Sequence, residues 1–290
     1  QKNNVLLENF YKKAESFKLD ERTLQAIAAL ERIIQEYKPI IAELNKSLCG
    51  IIPQISPLFP ESLKKNLGVK YTPPVLFVKG NNDLLKKDSI AIVGSRQASE
   101  QALSFAKNVS KLAADEKLVV VSGYAKGVDR QALDSILENK GQSIIVLPQG
   151  ILTFNSNKYK KQIDNGDLLV LSIFPPKAPW NVGYAMDRNS IIYGLASEIY
   201  VAESGESGGT WSGVIDAIQY KNRNVYIRKP GQNENNANAK LLSYAGTTAV
   251  DGFGKVLGET YAKKEFAEAP AVREAGKKGK KKQYGQTSMF

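Results

Sequence analysis

Histidine is absent from this 290-residue sequence, and cysteine occurs only once, at Cys49. Without histidine there is no Ser-His-Asp triad, no Cys-His pair and no imidazole general base. A single cysteine excludes an internal disulfide and any zinc site built from several cysteines. Because these absences remove the commonest groups for catalysis and zinc binding, we expect no catalytic residue, no metal ion and no cofactor.

Long apolar runs are also missing. No segment approaches the roughly 18–20 apolar residues that a membrane span needs, and residues 1–20 are too polar for a signal peptide. With 42% hydrophobic and 24% charged residues, most of the chain has the composition of a globular protein. We therefore expect a folded, cytoplasmic protein.

Positive charge exceeds negative charge: 40 Lys and Arg residues face 29 Asp and Glu residues, and the net charge is +11. Five lysines are crowded into residues 277–282. A segment with this much charge cannot bury a core, so we expect residues 256–290 to form a disordered basic tail. Such a tail either keeps the protein soluble or binds the phosphates of a nucleic acid.

The first 70 residues are expected to form an N-terminal helical extension followed by a connector. Apolar residues recur at three- and four-residue steps between Leu24 and Leu44, which predicts an amphipathic helix. Pro39 lies inside this pattern and is expected to break or kink the helix. From residue 51 to residue 74 the pattern is irregular and rich in proline, as in a connector.

Short apolar runs alternate with helical stretches from residue 71 to residue 255. Since these runs are too apolar for either face to meet water, they predict a parallel sheet covered on both sides. The predicted fold class is therefore α/β, with a doubly wound, mostly parallel, Rossmann-like sheet. The predicted strands are Val75–Val78, Ile90–Val93, Leu118–Val121, Ile144–Leu147, Leu168–Leu171, Ile199–Ala202 and Val225–Ile227. The predicted helices are Ala98–Ala114, Asp129–Asn139, Arg188–Leu195 and Thr210–Tyr220.

Ligands of doubly wound sheets bind beyond the carboxyl ends of the strands, where helix N-termini attract anions. Four junctions in this part of the chain are rich in glycine and small polar residues. Glycine allows close approach of a ligand, hydroxyls and amides bond phosphate oxygens, and arginine adds a forked donor. The candidate phosphate- or DNA-binding residues are Gly94, Ser95, Arg96, Ser122, Gly123, Lys126, Gly183, Tyr184, Arg188, Asn189, Ser207 and Gly208.

Structural explanations compete with this interpretation. Gly94 and Gly123 are equally explained as tight turns, and Asp129 most simply caps the helix that follows it. Arg96 and Arg188 are each expected at the start of a helix, where the helix dipole disfavours a cation unless an anion joins it. The two arginines are therefore the strongest candidates for phosphate contacts.

A loop rich in proline and aromatic residues, Phe174–Tyr184, precedes Arg188. Trp180 and Tyr184 follow neither a helical nor a strand period. Two interpretations stay open: the rings stack on nucleic-acid bases, or they form a lid over the sheet edge.

Two common nucleotide-binding motifs are absent. No G-x-G-x-x-G fingerprint follows the first strand of the predicted core, and no Walker A sequence occurs. This argues against NAD-dependent and P-loop chemistry.

The linked motifs of this region resemble those of the DNA-processing protein A family (DprA, also called Smf), within the SLOG superfamily. The resemblance spans about residues 70–250. It implies a Rossmann-like domain that binds single-stranded DNA without catalysis, forms a homodimer and helps to load a RecA-type recombinase in natural transformation and DNA recombination. The segments that carry it are Tyr71–Gly80, Ala91–Arg96, Val121–Asp129, Arg188–Ile192, Glu203–Thr210 and Leu241–Gly246.

The sequence departs from the family pattern in three places. Leu133 stands where the family usually has histidine. Ser190 stands where the second arginine of an Arg-Asn-Arg motif is usual. Gly150–Phe154 replaces a glycine-x-aspartate segment that a Tyr-Pro pair usually follows.

Two other functions stay open. One is a sensor of a nucleotide-derived ligand that uses the same anion pocket. The other is an enzyme like the SLOG relatives that cleave nucleoside monophosphates at the glycosidic bond, whose Gly-Gly-x-Gly-Thr loop is similar to Gly208–Thr210. No acidic residue follows this loop before Asp216, and glycoside cleavage needs a placed carboxylate.

Overall fold

The computed structural model describes residues 21–219 and 224–258. The described residues fall into two units, residues 21–43 and residues 44–258. Most of the expected basic tail lies outside the described residues, as do the first 20 residues of the expected helical extension.

The amphipathic helix predicted between Leu24 and Leu44 is present as α1, Glu21–Lys46. Of the two expectations for Pro39, a break or a kink, the break is wrong, because the helix continues through this residue. A proline removes one backbone hydrogen bond from a helix, and the bonds on either side of Pro39 maintain α1.

A single nine-stranded sheet forms the centre of the second unit. In chain order, its strands are β1 Gly50–Pro53, β2 Val75–Gly80, β3 Ser89–Gly94, β4 Val119–Ser122, β5 Gln142–Val146, β6 Leu168–Ser172, β7 Glu198–Glu203, β8 Asn224–Arg228 and β9 Thr247–Val250. Their order across the sheet is β1-β2-β6-β5-β4-β3-β7-β8-β9. Strands β3 to β9 are parallel to one another, while β2 pairs antiparallel with both β1 and β6. The predicted fold class and all seven predicted strands are confirmed.

Helices connect the parallel strands and cover both faces of the sheet. They are α2 Glu61–Tyr71, α3 Glu100–Asp115, α4 Val128–Glu138, α5 Lys160–Asp164, α6 Val182–Leu195, α7 Gly209–Gln219 and α8 Asn238–Leu241. Three short 3-10 segments lie at Asn82–Lys86, Ile151–Thr153 and Asn157–Tyr159.

Two hydrophobic clusters lie on opposite faces of the sheet. Neighbouring residues of β3 alternate between them: Ile92 belongs to the cluster that contains residues of α3 and α4, whereas Val93 belongs to the cluster that contains residues of α2, α6 and α7. Because side chains alternate across a strand, a strand with a core on each face must be apolar throughout. This explains the short apolar runs in the sequence.

The predicted connector contains regular structure that its sequence pattern did not indicate. Strand β1 begins one residue before the segment 51–74, and helix α2 lies inside it. Strand β1 is an edge strand of the sheet. The sheet therefore begins at Gly50, ahead of the expected boundary at residue 70. Strand β1 has four residues and α2 is interrupted at Gly68, with φ of +68°, so neither leaves a long periodic pattern.

The order of the strands creates a switch point beside β3. From β3 the chain proceeds through β4 and β5 to β6 in one direction, and then returns to place β7 on the other side of β3. The connections after β3 and β7 therefore diverge and leave a crevice at the carboxyl ends of the two strands. Ligands of doubly wound proteins bind at this position.

Candidate nucleic-acid interface

Hydrogen bonds join the loops after β3 and β7 across the switch point. The Ser95 amide donates to the Glu203 carbonyl oxygen at 2.9 Å. The Thr210 hydroxyl donates to the Gly94 carbonyl oxygen at 3.0 Å. Two loops that were predicted separately thus form one connected surface.

The Glu203 carboxylate, at the end of β7, is buried and bonded within the protein. It accepts hydrogen bonds from the Ser99 hydroxyl and, at 3.4 Å, from the Ser99 amide. The Ser99 oxygen caps α3 by accepting a hydrogen bond from the Ala102 amide at 3.2 Å. The carboxylate therefore orders the start of α3.

The loop after β4 packs closely against the loop after β3, and glycine makes this contact possible. Gly127 has φ of +79°, and a Cβ atom there would lie 2.4 Å from the Ser95 carbonyl oxygen. A Cβ atom on Gly94 would lie 2.5 Å from a Val128 methyl carbon. Larger residues at these positions would separate the loops.

Asp129 does not cap α4, which corrects the expectation from the sequence. Gly127 occupies the N-cap position, and the Asp129 carboxylate turns back to the preceding loop. It accepts hydrogen bonds from the amides of Gly123 at 3.1 Å and Ala125 at 3.4 Å. The Ser122 hydroxyl donates to the Asp129 carbonyl oxygen at 3.0 Å. These donors, expected to face a phosphate, are thus already bonded within the protein.

Arg188 is buried, contrary to the expectation that it opens a helix and faces the groove. Helix α6 begins earlier, after Asn181, so Arg188 lies in its second turn with 3% of its surface exposed. Its guanidinium donates to the Val146 carbonyl oxygen at 3.2 Å and lies 3.8 Å from an Asp129 carboxylate oxygen. A Cβ atom on Gly123 would lie only 1.2 Å from Arg188 Nη1, so glycine makes room for the guanidinium.

Burial disfavours charge on both members of this pair. It raises the pKa of the Asp129 carboxyl, while the Arg188 guanidinium and the two loop amides oppose that shift. Burial also lowers the pKa of the Arg188 guanidinium, and the Asp129 carboxylate opposes that shift. Arg188 Nε is buried and has no hydrogen-bond partner among the described residues.

The structure separates the candidate residues by depth. A group that we call the buried layer consists of Ser122, Gly123, Asp129 and Arg188. A second group that we call the exposed rim consists of Arg96, Lys126, Ser207 and Gly208. Gly94 and Ser95 are partly exposed and belong to the loop that carries Arg96.

The two cations of the exposed rim differ from the buried arginines. Over residues 21–219 and 224–258, neither Arg96 nor Lys126 has an ion-pair partner. Arg188 instead faces Asp129, and the other buried arginine, Arg228, pairs with a glutamate. The charge of the rim is therefore available to an external anion.

The remaining candidates lie on α6. Gly183 is exposed in its first turn. The Tyr184 ring is partly exposed and stacks on Phe174 with ring centroids 4.0 Å apart, while Trp180 is 50% exposed. The Asn189 side chain lies inside α6, where its amide donates at 3.3 Å to the main-chain oxygen of the first residue of α7. It thus joins two helices.

Sequence reasoning overlooked Tyr124 and Arg130, which lie in the loop after β4 and in α4. The Arg130 guanidinium lies 3.8 Å from the centre of the Tyr124 ring. The contact joins a loop residue to a helix residue, so no helix or strand period points to it.

The described residues contain neither a cluster of metal-ligating side chains nor a helix suited to a membrane. No group of three or more Cys, Asp or Glu side chains is arranged to hold a metal ion in that part of the chain. None of the helices described is long and apolar enough to cross a membrane.

The sheet and its basic switch point define a Rossmann-like α/β protein with cationic loops at the carboxyl edge. More specifically, the family model for DNA recombination-mediator protein A matches residues 50–258, and the chain belongs to this family. The resemblance inferred from the sequence motifs is thereby confirmed.

Individual relatives agree with this assignment. The DNA processing protein DprA of Streptococcus pneumoniae is 39% identical over 142 residues, which are 48% of this chain and 49% of that protein. This match thus spans about half the length of the curated relative. The X-ray structure of DprA from the same species covers 86% of this chain and 90% of its own, with a TM-score of 0.64 and 27% identity.

A second solved structure shares the fold. It describes the single-stranded DNA binding mode of DNA processing protein A from Helicobacter pylori. It covers 69% of this chain and 90% of its own, with a TM-score of 0.58 and 21% identity. At this identity the likeness concerns the architecture.

Proposed function

We propose that this protein binds single-stranded DNA along the exposed rim, without catalysis, and acts in DNA processing and recombination. The observation that carries the proposal is the position of Arg96 and Lys126: two exposed cations that form no ion pair with any described residue, on loops packed together at the switch point. Membership of the recombination-mediator family, and the DNA binding described for the Helicobacter pylori protein, support it.

The chemistry of the rim suits a phosphate backbone. Arginine and lysine neutralise phosphates, and the Ser207 hydroxyl and Gly208 amide belong to a loop exposed beside them. Gly208 has φ of +92°, and no atom lies within 4 Å of the position its Cβ would take. A strand can thus approach this backbone without steric hindrance.

The acidic groups near this loop support binding without catalysis. Glu203 is bonded to Ser99, and Glu206 forms an ion pair with Lys240 at 3.1 Å. Asp216 is exposed on α7, about 9 Å along the helix axis from Thr210 at 1.5 Å per residue. A glycosidase needs a carboxylate beside the sugar, and none of these three is arranged for that role.

The recombinase partner and the homodimer implied by the family resemblance are parts of the same proposal. The family description names a DNA recombination mediator, which supports a role beside a recombinase. Co-sedimentation of the protein with a RecA-type recombinase on single-stranded DNA tests the first part. Sedimentation velocity over a range of protein concentrations tests the second.

Fluorescence anisotropy tests the central proposal. Labelled oligo-dT is titrated with protein at low and at physiological salt, with duplex DNA and nucleoside monophosphates as competitors. We expect oligo-dT to bind, with affinity falling as salt rises, and monophosphates to compete weakly. Tight monophosphate binding without oligonucleotide binding would establish the nucleotide sensor instead. Release of free base from monophosphates, followed by chromatography, would establish the enzyme.

A further inference from the structure

Tyr124 has a backbone conformation that large residues rarely adopt. Four described residues other than glycine have positive φ: Leu48, Lys117, Lys140 and Tyr124. The first three follow the C-terminal ends of α1, α3 and α4, where a left-handed residue commonly terminates a helix. Tyr124, with φ of +61°, instead follows a strand. Among the residues described, it is thus the one left-handed side chain that helix termination does not explain.

Side chains from two elements fix the Tyr124 ring. The Arg130 guanidinium lies 3.8 Å from its centroid, within the range of a cation–π interaction. The Phe154 and Tyr159 rings meet it nearly at right angles, with centroids 5.2 and 5.7 Å away. Tyr124 remains partly exposed. It is therefore an oriented ring at the surface.

Arg130 is itself held in place behind the ring. Its guanidinium donates to the Tyr159 hydroxyl at 3.2 Å, and that hydroxyl donates to Asp134 at 3.2 Å. The Asp134 charge is balanced by Lys158, whose ammonium lies 3.6 Å away. The surroundings of the ring thus carry no net negative charge that would repel DNA.

The Tyr124 ring is not part of the hydrophobic core. Neither of the two hydrophobic clusters in the described residues includes Tyr124, Phe154 or Arg130. Packing of the core therefore does not explain why a large aromatic residue occupies a left-handed position. An unfavourable backbone conformation that the surroundings maintain is a reason to look for a function.

The position of Tyr124 indicates its ligand. It shares a five-residue loop, residues 123–127, with Lys126, and this loop contacts the Arg96 loop through Gly127. In single-stranded DNA, each base is joined to its phosphate by one sugar and is free to turn outward. A strand whose phosphates contact Arg96 and Lys126 can therefore place a base against the exposed part of the ring.

We propose that Tyr124 is a stacking platform for one base of single-stranded DNA, and that Arg130 is the residue that positions it. The proposal rests on the proposed function, since the rim has to hold the phosphates. Stacking on an aromatic ring tolerates any base because every base has a π face. The platform would therefore add affinity for unpaired DNA without selecting a sequence.

An abasic scan separates stacking from phosphate binding. Oligo-dT molecules that each lack one base, at successive positions, are titrated against the wild type and against Tyr124→Gly and Tyr124→Phe. Glycine accepts positive φ, so Tyr124→Gly removes the ring without straining the backbone. We expect the wild type and Tyr124→Phe to lose about tenfold in affinity when the base at one position is missing. Tyr124→Gly should bind the intact oligonucleotide about tenfold more weakly and be insensitive to that missing base.

The outcomes distinguish this proposal from the function on which it rests. If wild type and Tyr124→Gly respond identically to every abasic position, the platform is refuted while DNA binding stands. If the wild type binds no oligonucleotide, the proposed function itself fails. A wild-type measurement does not depend on the folding of a variant: 2-aminopurine at the sensitive position should change its fluorescence on binding, and an unchanged signal would count against stacking.

Discussion

Arg96 and Arg188 lie near the same edge of the sheet and have opposite environments. Both follow strands in sequence regions rich in small polar residues, and both were expected to contact phosphates. Arg96 is exposed and without an ion pair among the described residues, whereas Arg188 is 3% exposed and faces Asp129. The difference teaches that a basic residue near the carboxyl ends of strands has two distinct possible roles: contact with a ligand, or support of the loop that makes the contact.

The buried layer supports the exposed rim through a short series of contacts. Arg188 faces Asp129, whose carboxylate holds the amides of Gly123 and Ala125, and the same loop carries Lys126. Arg96 is close enough to affect the charges of both Asp129 and Arg188. The layer therefore fixes the loop in the absence of a ligand, and under the proposed function this would lower the entropy lost on binding DNA.

The largest expected effect comes from breaking the buried layer. Replacing Arg188 with alanine leaves the Asp129 carboxylate buried without its cation, and removal of one partner from a buried pair typically costs about 3–5 kcal/mol. We expect Arg188→Ala to lower the free energy of unfolding by about this amount in urea denaturation.

Arg188→Ala also tests whether Arg188 contacts a ligand or supports the loop that does. If Arg188→Ala folds with unchanged stability and binds DNA with a smaller salt dependence, then Arg188 contacts a phosphate as the sequence suggested. The salt dependence of DNA binding is measured on folded protein, at urea concentrations well below the midpoint of unfolding. Loss of stability with an unaltered salt slope supports the structural role.

Gly123→Ala tests how tightly the buried layer is packed, because it adds one methyl group there. Its Cβ would lie 1.2 Å from Arg188 Nη1, so the guanidinium has to move. Overpacking of this kind typically costs about 1–3 kcal/mol, and we expect a loss of unfolding free energy in that range. Gly205→Ala is the matched control, because the nearest atom to its Cβ, the Ser207 oxygen, is 3.7 Å away. Equal stability of the two variants would show that the layer adapts freely.

The sequence correctly predicted those features of the fold and the site that are determined by neighbouring residues. The apolar runs predicted seven strands and the fold class, because each run is a continuous apolar stretch of three or four residues. The linked motifs also located Arg96 and Lys126 on loops after β3 and β4. Both predictions used only neighbouring residues.

The residues that sequence reasoning misplaced are positioned by contacts that no local pattern indicates. Arg188 bonds to Val146, which is 42 residues away, and α6 begins six residues before the arginine at a cap that the sequence analysis overlooked. Asp129 is a common type of cap, yet its carboxylate bonds to the loop preceding its helix. Sequence analysis missed Tyr124 because the amino-acid sequence does not indicate that a tyrosine has positive φ. Side-chain direction, and hence depth, is set by packing between elements.

A rim variant should change binding and leave stability unaltered. Arg96→Ala removes an exposed cation that has no ion-pair partner in the described part of the chain, so we expect about a tenfold loss of oligo-dT affinity and an unchanged urea midpoint. The slope of log affinity against log salt should fall by about 0.7, the value for one phosphate contact on a single strand. Lys86→Ala is the matched control, since this exposed lysine precedes β3 and lies at the opposite edge of the sheet. Identical behaviour of both variants would mean that net charge alone drives binding.

The smallest expected effect concerns the basic tail, which lies outside the described residues. Five lysines within residues 277–282 raise the local concentration of positive charge without reading sequence. Removing residues 270–290 should therefore weaken oligo-dT binding several-fold at low salt and hardly at all at high salt, where exposed charges are screened beyond a Debye length of roughly 3 Å at 1 M. The melting temperature should not change, because so charged a segment cannot add to a hydrophobic core. An equal loss of affinity at every salt concentration would instead indicate a tail that docks specifically. A lower melting temperature would instead show that the tail stabilises the fold, as we expect of the buried layer and not of the rim.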